Sequence, residues 1–197
     1  MSIVRETYDQ GQYDWCEFRP DDRWLDVGAH IGVFCVLAAP HVAYIDAYEP
    51  EPGNYAALLH NLELNGIENV TPHNLALVGN DDKERLFWVD WGRNQARHSF
   101  IRARESMGAT TVKCAPFTEA LRGMDGLKLD VEGAEWELLH ALEDWGKVRQ
   151  AVVEFHPEVL PDKEFDVFLS LFDMFDDITI GNEGAEGCRT IYARREL

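Results

Sequence analysis

The feature that most constrains this chain is an alternation. Short apolar runs are separated by segments of helical spacing, the pattern of strands and crossover helices. Trp24 to Gly28 is an apolar-rich run ending at glycine, which predicts a buried strand. Ile31 to Ala39 reads as a helix stopped by Pro40, and Val42 to Tyr48 as a second strand. Pro52 to Asn65 reads as a helix, with proline at its start, Asn65-Gly66 at its end, and Tyr55, Leu58, Leu59 and Leu62 at helical spacing. Val70 to Val78 is a third strand region interrupted by Pro72, and Leu86 to Trp91 and Thr110 to Cys114 are further strands. Thr118 to Arg122 predicts a short helix, Leu127 to Val131 a strand, Ala134 to Leu142 a helix, and Ala151 to Phe155 a strand. Phe165 to Phe175 predicts an amphipathic helix, and Ile178 to Ile180 and Thr190 to Ala193 two last strands around a glycine-rich turn.

Strands that alternate with helices build a mostly parallel sheet with helices on both faces. The last two strands are too close in sequence for a parallel crossover and must pair antiparallel. The expected fold class is therefore α/β, a seven-stranded, mostly parallel sheet closed by an antiparallel C-terminal hairpin. This is the pattern of the Rossmann-like class I methyltransferase fold. In such sheets ligands bind at the carboxyl ends of the strands, near the point where strand order reverses. With no repeat, low-complexity tract or linker, residues 1–197 read as one domain, with 1–23 as an N-terminal cap segment.

Composition narrows the function classes. No apolar run reaches the ~18 residues of a membrane span. The polar, acidic stretch from Met1 to Pro20 does not resemble a signal peptide, so a cytoplasmic protein is expected. Cys16, Cys35, Cys114 and Cys188 form no CxxC pair and no zinc spacing, so reduced thiols are expected and no metal ligand is assigned. A net charge of −18 repels phosphate backbones and disfavours nucleic acid as a partner. Gly92 to Arg104 runs against this trend, with Arg93, Arg97, His98, Arg102 and Arg104 and no acid. It reads either as a solvated basic loop or, over residues 92–109, as a substrate-side loop in which Arg93, Arg97, His98 and Arg102 meet an anionic acceptor.

The first strand tip carries Asp26-Val27-Gly28-Ala29-His30-Ile31-Gly32. Gly28 allows a sharp turn and close approach of a ligand to the main chain, and Gly32 allows close packing of the next helix. The G-x-x-x-G spacing is not that of dinucleotide folds. Asp26, placed before the turn, suits the cationic side of a cofactor better than a pyrophosphate. The second strand ends in Glu49-Pro50, 21 residues after Gly28. A carboxylate there can accept both ribose hydroxyls of an adenosine. It could equally be an acid at a helix start, worth about 0.3–1 kcal/mol. Asn74-Leu75-Ala76 follows the third strand, where an adenine ring would rest; Asn74 also suits a turn.

Leu127-Lys128-Leu129-Asp130-Val131-Glu132-Gly133-Ala134-Glu135 ends the next parallel strand. Lys128, Asp130 and Glu132 alternate and are expected on one face. Glu154 and His156 share a face at the tip of the strand after it. Adjacent strand tips would bring Asp130, Glu132, Glu154 and His156 to one rim. Such a rim can orient or deprotonate an acceptor hydroxyl and could take a divalent metal.

Together these segments resemble the FkbM family of S-adenosylmethionine methyltransferases. The resemblance rests on Asp26 to Gly32, on Tyr48-Glu49-Pro50 with Asn61 and Asn65, on Asn74 to Leu77, on Lys128-Leu129-Asp130-Val131-Glu132-Gly133-Ala134-Glu135, and on Glu154-Phe155-His156. The family's motif usually has asparagine where His30 stands. The resemblance implies S-adenosylmethionine as cofactor, held by Asp26, Gly28, Ala29, His30, Gly32, Glu49, Pro50, Asn74, Ala76 and Asp130. It implies O-methylation of a small-molecule or glycan acceptor, with Asp130, Glu132, Glu154 and His156 at the transfer site, in a monomer or homodimer. Two other readings stay open at this point. One is methylation of a nucleobase or other macromolecule. The other is a binding module, for S-adenosylmethionine without turnover or for NAD, whose ribose also takes an acid.

Overall fold

A computed structural model describes residues 13–89, 108–156, 165–181 and 188–197, and the backbone at 98–99. The strands are β1 (Arg23–Val27), β2 (Tyr44–Tyr48), β3 (Val70–His73), β4 (Ala76–Val78), β5 (Glu84–Val89), β6 (His98–Ser99), β7 (Gly108–Pro116), β8 (Gly126–Leu129), β9 (Gln150–Phe155), β10 (Asp177–Ile180) and β11 (Arg189–Arg194). The helices are α1 (Val33–Ala38), α2 (Pro52–Leu64), α3 (Phe117–Leu121), α4 (Glu135–His140) and α5 (Phe165–Leu169).

The main sheet has seven strands in the order β10-β11-β9-β8-β1-β2-β3. β1, β2, β3, β8 and β9 run parallel, while β11 is antiparallel to both β9 and β10. The expected fold class is thus the observed one. The chain steps outward from β1 to β3, then returns to lay β8 on the other side of β1. The crevice between the carboxyl ends of β1 and β8 is therefore the switch point where such sheets hold ligands.

Burial explains why the central strands read as continuous apolar runs. β1 and β8 are covered on both faces, so alternate residues enter different cores. Leu25, Val27, Leu127 and Leu129 pack with Leu138, Val153, Phe168 and Phe172. Trp24 packs on the opposite face with Phe34, Cys35, Ile45, Leu58 and Val152. Trp24 lies opposite Gly126 in register. A Cβ at Gly126 would stand 2.3 Å from the Trp24 ring, so the glycine makes room for the indole. On α2, Glu51 accepts from the Asn54 amide at 2.6 Å, Pro52 opens the first turn, and Asn65 stands at the C-cap.

Residues 13–22 cross the base of the sheet and are tied down there. Arg149 pairs with Asp22 and donates to the Glu17 carbonyl at 2.9 Å. The Glu17 amide donates to Gln150 at 2.9 Å. These anchors deliver Tyr13 edge-on to Phe34, with ring centroids 5.0 Å apart.

Three expectations change. The region from Val70 to Val78 is two strands, not one. β3 is the edge strand of the main sheet, where the missing donor of Pro72 is tolerated. β4 leaves it to pair with β7 in a second sheet, ordered β4-β7-β5-β6. The first helix starts at Val33 rather than Ile31, because Gly28, His30 and Gly32 all take positive φ (80°, 51° and 85°) and are not helical. β8 ends at Leu129, and Glu132 also takes positive φ (53°), so the strict alternation expected from Lys128 to Glu132 stops at the strand end.

Of the arginine segment, Arg93, Arg97 and Arg102 lie outside the described residues, and His98 is described only as backbone in β6, paired with Val89. Among the described residues no helix is long and apolar enough to cross a membrane.

Gly126→Ala tests the Trp24 packing. The added methyl forces the indole or the strand to move, an overpacking cost of about 1–3 kcal/mol. Urea unfolding of the variant should show a lower midpoint at unchanged slope.

Candidate functional site

Three loops meet at the switch point. Gly28 and Ala29 both donate their amides to the Tyr48 carbonyl at 3.0 Å, tying the loop after β1 to the tip of β2. A Cβ on Gly28 would stand 1.8 Å from the Asp130 carbonyl oxygen, so only glycine lets the loops after β1 and β8 touch. Asn61 on α2 donates to the Ile31 carbonyl at 2.7 Å and holds the far side of this loop. At Gly32 a Cβ would meet Leu58 Cδ1 at 2.5 Å, so this glycine lets α2 pack closely.

Glu49 sits at the centre of this junction and is 4% exposed. The His30 amide donates to its Oε2 at 2.9 Å, and the Glu51 amide donates to its Oε1 at 2.8 Å. The Asn54 side chain also bonds to this carboxylate. Burial pushes the carboxyl up to about 7, against the lowering pull of those amides and of Lys128. Asn74, expected beside an adenine, donates its amide to the carbonyls of Glu49 (2.9 Å) and Pro50 (3.1 Å). It braces the acidic loop and fixes the turn that separates β3 from β4. Ala76 opens β4 and is buried in the apolar cluster of the second sheet.

Asp26 stands opposite Lys128 in register, and both are buried. Lys128 Nζ lies 3.2 Å from Asp26 Oδ1 and 3.9 Å from Asp130 Oδ2, and donates to the Gly28 carbonyl at 2.6 Å. The Cys35 thiol donates to Asp26 Oδ2 at 3.2 Å. Burial opposes charge on Lys128, but Asp26, Tyr13 and Asp130 outweigh it and raise its pKa. Where the sequence reading turns Asp26 toward a cationic cofactor, the structure turns it into the sheet, fully buried against Lys128. Its influence on the loop passes through Lys128 and the Gly28 carbonyl.

The expected rim of acids and imidazole does assemble. His156 Nε2 lies 3.6 Å from Glu132 Oε2, 3.9 Å from Asp130 Oδ1 and 4.0 Å from Glu154 Oε1. Its Nδ1 lies 2.9 Å from Glu135 Oε1. That same oxygen accepts the amides of Val131 (3.1 Å) and Gly133 (3.2 Å), so Glu135 clamps the turn after β8 and the imidazole together. Burial opposes charge on His156, yet Glu135, a hydrogen bond with Cys188 and Glu132 raise its pKa well above the usual value. Glu154 is pushed up to about 8 by Asp130, by burial and by Glu132, against His156 and Lys128.

Three participants escape sequence reasoning. Glu135 looks like an ordinary acid in the first turn of a helix, and only the fold shows it under His156. Cys188 follows a glycine-rich turn and has no motif. Tyr13 is 7% exposed; burial and the charges of Asp130, Asp26 and Glu154 raise its phenol's pKa, against Lys128. Its sequence signal is weak, one of several aromatic residues (Tyr8, Tyr13, Trp15 and Phe18) scattered through a mainly polar segment.

Breaking the buried pair by Lys128→Met leaves Asp26 charged and unpaired, which costs about 3–5 kcal/mol. Adding Asp26→Leu should recover part of that loss, since an apolar pair carries no buried charge. Urea denaturation of the single and double variants reads both outcomes.

The geometry agrees with comparisons to known proteins. Residues 26–179 match the family model of the methyltransferase FkbM domain. "Methyltransferase 1" of Beauveria bassiana is 24% identical, over 77% of this chain and 72% of its own. The crystal structure of a methyltransferase FkbM from Methylobacillus flagellatus superposes with a TM-score of 0.60 at 15% identity, over 98% of this chain and 48% of that one. A SAM-dependent O-methyltransferase from Thermotoga maritima superposes with a TM-score of 0.59 at 14% identity, over 100% of this chain and 72% of that one. A match to residues 26–179, most of the chain, shows that the protein belongs to the FkbM methyltransferase family.

Proposed function

We propose that this methyltransferase uses S-adenosylmethionine and methylates a hydroxyl of a small molecule or sugar. The observation that carries the cofactor reading is Glu49. A buried carboxylate at the tip of the second strand, with each oxygen oriented by a backbone amide, suits the paired hydroxyls of a ribose. The Gly28 contact supports it, because a loop with no side chain at that point leaves its backbone open to a ligand. The Thermotoga neighbour, named as a SAM-dependent O-methyltransferase, supports both halves of the reading.

When bound, S-adenosylmethionine supplies an electrophilic methyl group on a sulfonium. The chain's own work is placement and proton management. Lys128 holds the Gly28 carbonyl and so fixes the loop against which the methionine end would lie. Glu49 accepts the ribose hydroxyls, while Asn74 keeps Glu49 and Pro50 in place. Asp130, Glu132, Glu154 and His156, at the next two strand tips, receive the acceptor hydroxyl and its proton. With the methyl donor bound, Asp130, Glu132 and Glu154 would hold the acceptor hydroxyl in line with the methyl group, and a rim carboxylate would take up its proton.

The pH dependence of binding tests this. Glu49 must be ionised to accept two hydroxyls, and Lys128 is the charged neighbour that favours that form. With a carboxyl at about 7, the ionised fraction is about 0.1 at pH 6 and about 0.9 at pH 8. Calorimetric affinity for S-adenosylmethionine should rise about ninefold between those pH values, with proton release at the lower one. Glu49→Gln should weaken binding and flatten the profile. A protein that binds NAD instead would overturn the cofactor reading. Transfer of labelled methyl across a panel of hydroxylated acceptors tests the other half; label appearing only on nucleic acid or protein would overturn it.

A further inference from the structure

We infer that Asp130, Glu132 and His156 form a binding site for one divalent first-row metal ion, with Glu154 beside it as the proton acceptor. The binding claim stands on the donor geometry alone. The ion's catalytic role rests on the hydroxyl-methylation reading above.

Ligand atoms held about 2.0–2.2 Å from one centre stand roughly 3–3.6 Å from one another. His156 Nε2 lies 3.6 Å from Glu132 Oε2 and 3.9 Å from Asp130 Oδ1, within a few tenths of an ångström of that shell. One ligand atom from each of Asp130, Glu132 and His156 lies within 4.8 Å of the other two, close enough for side-chain adjustment to bring all three to one ion.

The imidazole is already oriented as a ligand. Nδ1 is engaged by Glu135, itself 2% exposed and held by the amides of Val131 and Gly133, which directs Nε2 to the carboxylates. A carboxylate behind the far nitrogen is how metal-binding histidines are commonly fixed. Cys188 adds a donor of a different kind. Its Sγ, His156 and Glu154 all lie within 4.8 Å of one another.

Charge points the same way. Asp130, Glu132, Glu135 and Glu154 surround one histidine, while Lys128 is shared between Asp26 and Asp130, so acids outnumber bases at the rim and the local field attracts cations. One nitrogen with oxygen donors, and a thiol nearby, favours Mn2+ or Zn2+ over Mg2+ or Ca2+. Three protein ligands leave positions for the acceptor oxygen. The ion polarises that oxygen, the O–H bond breaks with its proton passing to Glu154, and the freed electron pair forms the C–O bond as the methyl leaves sulfur.

The test titrates the full-length, EDTA-treated protein with Mn2+, reading free ion by its EPR signal, and repeats the titration with Zn2+ by calorimetry. One ion per chain is expected, bound at least about tenfold more tightly than Mg2+. His156→Gln, Asp130→Asn and Glu132→Gln should each weaken it about tenfold or more, and Glu135→Gln about 10–100-fold. Asp46→Asn, which alters the separate acid–imidazole pair with His73, should leave it unchanged. Far-UV dichroism and the urea-unfolding midpoint of each variant show that the fold is kept. No saturable binding of either ion would overturn the site, as would binding that survives both His156→Gln and Asp130→Asn. Mn2+ binding by a protein that fails to bind S-adenosylmethionine leaves the metal site standing and overturns the methyl-donor reading instead.

Discussion

The structure depends on one buried charge pair at the switch point. β1 and β8 are the most enclosed strands of the sheet, yet each carries an ionisable side chain facing the same core. Neither Asp26 nor Lys128 could remain charged there alone, since an isolated buried ion costs several kcal/mol even after relaxation. Their parallel register makes them neighbours, the Cys35 thiol donates to Asp26, and Lys128 donates to the Gly28 carbonyl. An apolar pair would also knit two strands together. What the ion pair adds is reach: the ammonium extends past the strand ends and grips the first turn of the loop that must accept a ligand.

From that grip the rest of the cleft follows in order. With the Gly28 carbonyl drawn down, its amide and that of Ala29 point to the Tyr48 carbonyl, and the His30 amide reaches Glu49. His30 accepts a left-handed backbone to do so, a cost that persists because both flanking glycines share the same turn. Glu49 is thereby buried with each oxygen held by a backbone amide. The loop after β8 closes against the same glycine, and its own left-handed residue, Glu132, turns a carboxylate toward the tip of β9. Two non-glycine residues with positive φ among the described residues, both at this cleft, place the backbone strain where ligands are expected.

What was legible in the sequence divides along the same line. The mostly parallel sheet, its antiparallel C-terminal hairpin and the acids at strand tips could be read because they depend on periodicity and position, which a linear pattern carries. Glu49 and the rim of Asp130, Glu132, Glu154 and His156 were found in this way. The direction of a side chain within a strand tip was not legible. Asp26 reads as a cofactor contact until Lys128 is seen opposite it, and that pairing depends on a register set over 100 residues away. Asn74 likewise reads as a pocket wall until its amide is seen holding two carbonyls. Tyr13 and Cys188 were invisible because each reaches the cleft from a segment with no periodic signal of its own. Tyr13 arrives only because Arg149 and Gln150 anchor the chain behind it.

The two acidic centres are built differently. Glu49 is held by the backbone amides of His30 and Glu51, donors that do not depend on the side chains at those positions. The rim is ordered through the Glu135 carboxylate, one oxygen of which accepts the Val131 and Gly133 amides and faces His156 Nδ1. The centres meet in two ways. Gly28 approaches the Asp130 carbonyl so closely that a Cβ would not fit, and Lys128 donates to the Gly28 carbonyl while its ammonium lies 3.9 Å from Asp130 Oδ2. Gly28, Lys128 and Asp130 therefore couple the loop after β1 to the rim, and a change at any of the three is felt on both sides of the cleft.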